Sequence, residues 1–150
     1  MYKTGTDIEK TERIKDAFEK IKNRVYTDGE LAYIESRGAG KFQTATGIFC
    51  AKEAFSKAIG TGIAGFSLKD VEVRHSSFGR PYFAFSGKLS HFSADRFSLS
   101  ISHTEDIATA TVIFDGVFFP PEKRKYVLTS QMMKNADKAA AKALGSSLVL

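Results

Sequence analysis

The hydrophobic residues of this 150-residue chain change their period at one place, around Gly60-Thr61-Gly62. Before it they recur at helical spacing, and after it they alternate. Ile14, Ala17, Phe18 and Ile21 predict a helix over Thr11–Asn23, with Thr11 as its cap. Thr27-Asp28-Gly29-Glu30 has the form of a capping box, so Leu31, Tyr33 and Ile34 open a second helix that ends near Gly38-Ala39-Gly40. A third runs over Thr44–Ile59 and stops at the paired glycines. Val71–Phe85 reads as a hairpin turning at Ser76-Ser77-Phe78-Gly79, Phe97–Ser102 as an alternating strand, and Ile107–Phe114 as another. Residues 1–8 form a short opening or edge strand ending near Asp7. Helices first and antiparallel strands later give an α+β fold, with helices packed on a small antiparallel sheet.

Length and charge exclude several classes. A chain of this size is one domain by default, able to bury a core without covalent staples. The single Cys50 rules out an intrachain disulfide framework. No apolar run reaches the ~18 residues of a membrane span, and no apolar leader is evident, so a cytoplasmic protein is the simplest expectation. The net charge of +5 raises a nucleic-acid partner, but its location argues against one. Residues 122–150 hold six basic and two acidic side chains, while the other 121 hold 16 and 15. No phosphate-binding Gly-x-x-x-x-Gly-Lys loop and no Gly-x-Ser-x-Gly elbow occurs, and no Gly-x-Gly-x-x-Gly follows a strand.

The stretch IFCAKEAFSKAIGTGI, residues 48–63, carries the sharpest chemistry. On a helical wheel Ile48, Ala51, Ala54, Phe55, Ala58 and Ile59 form the buried side; Lys52, Glu53, Ser56 and Lys57 form the polar side. By spacing alone this is a solvated face with one Glu53–Lys57 ion pair. Phe49 is an outlying ring beside Glu53, better used against a ligand or partner. Asp7, at a strand end, is either a turn former or an oxygen ligand for a divalent ion, with Glu53 a possible second carboxylate. His103, on a face with Phe97, Leu99 and Ile101, reads as a partly buried histidine. His75 and His91 carry no assigned role.

These elements, in this order, resemble the holo-(acyl-carrier-protein) synthase family, the short trimeric branch of the 4′-phosphopantetheinyl transferases. GTDIEKTERI matches the family pattern at Gly5, Asp7, Ile8, Arg13 and Ile14; YTDGEL, AKEAFSKAIGTGI, GRPYF and SLSISHTEDIATATVI follow. The resemblance implies that Asp7 and Glu53 bind Mg²⁺ with the diphosphate of coenzyme A. It implies that Lys57 faces the phosphates, and that Gly62, Pro81 and His103 contact the coenzyme. Arg13 and Arg24, on a helix rich in basic residues, would dock an acidic apo acyl carrier protein. The implied reaction moves phosphopantetheine to a carrier serine and releases 3′,5′-ADP, in a homotrimer with sites between subunits. A binding module for carrier or coenzyme, catalytically idle, is the alternative.

Two departures stand out. Ile48 occupies a place where many relatives carry arginine, and Lys41 could substitute. The chain also runs past the family core, so residues 1–120 are expected to form the synthase domain and 121–150 an extension. The segment from Tyr126 resembles the opening of an NAD(P)H-hydrate epimerase domain, as though this were part of a longer protein.

Overall fold

In the computed structural model, residues 1–116 are described. The expected extension at 121–150, with its epimerase resemblance, lies outside them. Strand β1 spans Tyr2–Lys10, followed by helices α1 (Thr11–Val25), α2 (Asp28–Ser36) and α3 (Lys41–Ile59). Strands β2 (Val71–His75) and β3 (Pro81–Phe85) form the expected hairpin; β4 (Phe97–His103) and β5 (Ile107–Asp115) complete the set. The main sheet is antiparallel, in the order β1-β5-β4. The α+β expectation therefore holds.

Boundaries differ where tertiary contacts extend a local pattern. β1 continues past Asp7 to Lys10 because β5 pairs with it along its whole length, from Tyr2 opposite Asp115 to Lys10 opposite Ile107. Thr11 is not the cap of α1. Lys10 holds that position without a side-chain hydrogen bond, and Thr11 is the first helical residue, its hydroxyl buried and unpartnered among the described residues. The backbone N–H of Thr11 instead donates to the Asp106 carbonyl at 2.8 Å. The Thr27–Glu30 capping box is present as expected.

The sheet has one covered face. Gly5, Ala108, Ala110, Val112 and Phe114 alternate onto that side and are buried under α3. Phe55 of α3 anchors a cluster of rings that includes Phe83, Phe85, Phe92 and Phe97. The opposite face leaves Tyr2 74%, Ile8 65%, Ile113 42% and Ile107 39% exposed, which in a lone chain is a costly apolar surface.

From Ala45 to Ile59, α3 is buried at every position except Phe49, Glu53 and Lys57. These lie four apart and form one narrow stripe. Phe49 is only half-exposed and packs against the core, so it is not the free ring its wheel position suggests. Lys52 and Ser56, placed by periodicity on the solvated side, are buried. Lys52 is met from α2 by Glu30, and the Ser56 hydroxyl turns back onto its own helix, donating to the Glu53 carbonyl at 2.7 Å. α3 ends at Gly60, whose φ of +79° turns the chain away where an L side chain would be strained.

Candidate active site

The site starts from a missing side chain. A Cβ on Gly5 would sit 1.9 Å from the Ala54 carbonyl oxygen and 2.6 Å from the Ala58 nitrogen. Only glycine lets β1 and α3 approach so closely. With the backbones in contact there, Asp7 two residues along the strand falls beside the turn of helix that carries Glu53 and Lys57. At the other end of the helix, a Cβ on Gly47 would lie 2.8 Å from Ile101 of β4. α3 thus crosses the sheet from β4 to β1.

Lys57 does not pair with Glu53, as helix spacing suggested. Its ammonium donates to Asp7 Oδ1 at 2.8 Å and to the Thr6 carbonyl at 2.9 Å. The carboxylate of Asp7 is mostly covered and Lys57 half-exposed. The Asp7 carbonyl accepts from the Thr109 hydroxyl at 2.8 Å, which fixes the strand behind the carboxylate. Hydrogen bonding to Asp7 raises the Lys57 pKa, so it stays cationic. Glu53 is half-buried, and among the described residues its carboxylate takes no hydrogen bond. Burial raises its pKa first, the charge of Asp7 raises it further, and Lys57 opposes both. Behind them the Cys50 thiol is pushed up to about 12 by burial and then by Asp7, so it remains a neutral packed group.

Two neighbouring carboxylates, one of them without a donor, make a chemically unfinished set. Mg²⁺ takes one or two protein carboxylates and completes its shell with water and phosphate oxygens, so the donor set fits that ion. Among the described residues no group of three or more His, Cys, Asp or Glu side chains gathers around a point. Asp7 and Glu53 would therefore hold such a cation only together with ligands from outside.

The other expected contacts lie elsewhere. Pro81 and His103 line a cleft of about 160 Å³ with Tyr33, Arg37, Ile48 and His75, beside the N-terminal half of α3. Asp7, Glu53 and Lys57 do not line it. His103 is exposed rather than tucked into a strand face. His75, which carried no expected role, stacks on Tyr33 with centroids 4.2 Å apart, and Arg37 lies over the same ring at 5.7 Å. Ile48 is indeed in this cleft, but Lys41 does not replace the arginine there. Its ammonium pairs with Glu35 at 3.3 Å and lies over Phe42. Arg37 is the strong cation that faces the cleft; its place just before Gly38-Ala39-Gly40 was the only hint in the sequence. Gly62 is exposed in the turn after α3, outside the cleft. Arg13 and Arg24 are both exposed on α1, and Arg13 is ion-paired with Glu9.

Residues 3–112 match the model of the 4′-phosphopantetheinyl transferase superfamily. The holo-(acyl-carrier-protein) synthase of Fusobacterium nucleatum is 44% identical over 116 residues, covering 73% of this chain and 94% of that one. The enzyme of the same name from Verminephrobacter eiseniae is 44% identical over 122 residues, covering 75% and 92%. Among solved structures, the Bacillus anthracis synthase in complex with coenzyme A (3′,5′-ADP) superposes with a TM-score of 0.65 at 35% identity, over 75% of this chain and 94% of that one. The Helicobacter pylori synthase in complex with coenzyme A gives 0.64 at 28% identity, over 75% and 99%.

Proposed function

The chain belongs to the 4′-phosphopantetheinyl transferase superfamily, and on that premise we infer that it is a holo-(acyl-carrier-protein) synthase, transferring phosphopantetheine from coenzyme A to a serine of apo acyl carrier protein. The observation that carries this reading is the Asp7, Glu53 and Lys57 cluster: two acids and one cation brought together from positions fifty residues apart. In the reaction the serine oxygen attacks the β-phosphorus of coenzyme A, the diphosphate bond breaks, and 3′,5′-ADP leaves.

The residues divide the labour as follows. Asp7 and Glu53 would hold Mg²⁺, which when bound neutralises charge on the diphosphate oxygens. Lys57, already cationic and half-exposed, shifts from Asp7 toward the leaving phosphate as charge develops there. A carboxylate, most simply that of Glu53, or a water on the bound cation would take the serine proton. Pro81 and His103 line the cleft that would receive the nucleotide part of coenzyme A, and Gly62, in the turn after α3, would offer backbone N–H to the ligand. Arg13 and Arg24 present positive charge to an acidic carrier and steer its approach.

Cluster and cleft sit over opposite edges of the sheet, about 10 Å apart along α3 by helical rise. A site that uses both is most simply completed by a neighbouring copy, and the exposed Tyr2, Ile8, Ile107 and Ile113 face supplies a surface to cover. This supports a homotrimer with shared sites. The family match over residues 3–112 supports a synthase domain ending near residue 120. The 121–150 extension stays a proposal, and no epimerase activity is assigned to it. Among the described residues no helix is long and apolar enough to cross a membrane, which accords with a cytoplasmic enzyme.

The test is a mass measurement. Incubation with apo carrier protein, coenzyme A and Mg²⁺ should add phosphopantetheine to the carrier serine, and a chelator should abolish the addition. A carrier that binds but gains no mass would favour the idle binding module instead.

A further inference from the structure

Lys52 stands next to Glu53 in the sequence and points the other way. Its ammonium is fully buried and has three acceptors: the Val25 carbonyl at 2.7 Å, the Leu68 carbonyl at 2.9 Å and Glu30 Oε2 at 2.7 Å. Glu30, equally buried, accepts from Val73 N–H through Oε1 at 2.7 Å and from Thr27 N–H through Oε2 at 2.8 Å. One ion pair therefore ties α3 to the end of α1, the start of α2, the segment before β2 and β2 itself.

The surroundings explain why a pin is needed there. The side of α3 that crosses the sheet is built from Gly47, Ala51, Ala54 and Ala58, small residues that interlock little, so its roll is held by the flanking Phe55 cluster and by polar contacts. The exposed stripe of α3 is one residue wide. A roll of about 100°, the angle between successive residues, would put a neighbour in place of Glu53. An apolar residue at position 52 would fill the space as stably, since buried ion pairs are commonly no better than apolar replacements. What a satisfied buried pair adds is one allowed arrangement, because any other leaves charges unpaired.

We propose that Lys52 and Glu30 are a positioning pair that sets the roll of α3 and so aims Glu53 at Asp7. The catalytic side of this inference rests on the transferase reading; the geometric side does not. Neither residue touches a reactant, so both act through Glu53.

The experiment uses the full chain carrying E30Q and K52M together, which removes both charges at once and leaves none stranded. Mn²⁺ affinity is read by electron paramagnetic resonance in the presence of coenzyme A, and turnover is read well below the melting temperature. The expected result is a folded protein with at least a tenfold loss of Mn²⁺ affinity and of kcat, with KM for coenzyme A within about twofold of the parent. Unchanged Mn²⁺ affinity and kcat, whatever happens to the melting temperature, overturn the proposal. If the double variant does not fold, E30Q combined with K52Q, which also removes both charges but keeps hydrogen-bonding groups at both positions, decides in the same way. A parent protein that neither binds Mn²⁺ nor transfers would sink the transferase reading instead. The crystal structure of the variant then decides the pin: Glu53 turned from Asp7 supports it, and Glu53 unmoved overturns it.

Discussion

Lys52 and Lys57 share one helix, and each has a carboxylate close by, at 2.7 Å and 2.8 Å. Glu30 and Lys52 are wholly buried, whereas Lys57 is half-exposed. In the buried corner every donor and acceptor is used, and neither partner can be removed alone without stranding a charge. In the open corner Lys57 has two partners among the described residues, and a phosphate can displace Asp7 from it. The same pairing of residue types thus serves as architecture where water is excluded and as chemistry where water enters.

The sharpest way to break this contrast is at the open corner. E53Q or D7N should lower turnover by roughly a hundredfold or more, the scale set by losing several kcal/mol of charge stabilisation at the reacting phosphates. The melting temperature of E53Q should hold or rise, because it removes one of two repelling charges, and that of D7N should change little, because it also gives up the ion pair with Lys57. Steady-state kinetics beside calorimetry checks both halves, and a variant that melts early yet turns over normally would reverse the assignment.

At the buried corner the effects trade places. K52M alone strands the Glu30 carboxylate and should cost about 3–5 kcal/mol of stability, read by denaturant unfolding. K57M should change stability by about 1 kcal/mol or less while still lowering kcat. Comparable stability losses in the two variants would erase the distinction.

A smaller effect is expected from pH. Glu53 has a folded pKa above its ordinary 4.5. Its contribution favours the fold below pH 4.5 and is lost as pH rises through the higher folded value. A divalent cation binds the ionised form and reverses that loss. Mg²⁺ should therefore raise the melting temperature near neutrality and much less at pH 4. The Lys57 pKa is raised instead, so its contribution is complete below 10.5 and fades only above that. A Mg²⁺ effect independent of pH would remove Glu53 from the ion site. The mildest change is R13A or R24A, which should weaken carrier binding severalfold at low salt and little at high salt.

Much of the open corner was legible in the sequence. The end of α3 at Gly60, the hairpin over 71–85 and the alternation of β4 each follow from a local rule that the structure obeys. Asp7 and Glu53 were singled out, although only the fold brings them together. The buried corner was opaque. Helical periodicity counts Lys52 as solvated, because nothing in a wheel shows that Glu30 waits on another helix. The capping box at Thr27 named Glu30 but gave it one task, when it has three partners. The same blindness misassigned Lys57. A rule about residues four apart found Glu53, and the partner was Asp7, fifty residues away.

Gly5 has no side chain to offer a ligand, yet its contact with α3 sets the bite between the two acids. That makes it a size gauge. Mg²⁺ demands oxygens at about 2.0–2.1 Å, so a methyl group here, set 1.9 Å from the Ala54 carbonyl oxygen, would pry strand from helix and part the jaws that would grip the ion.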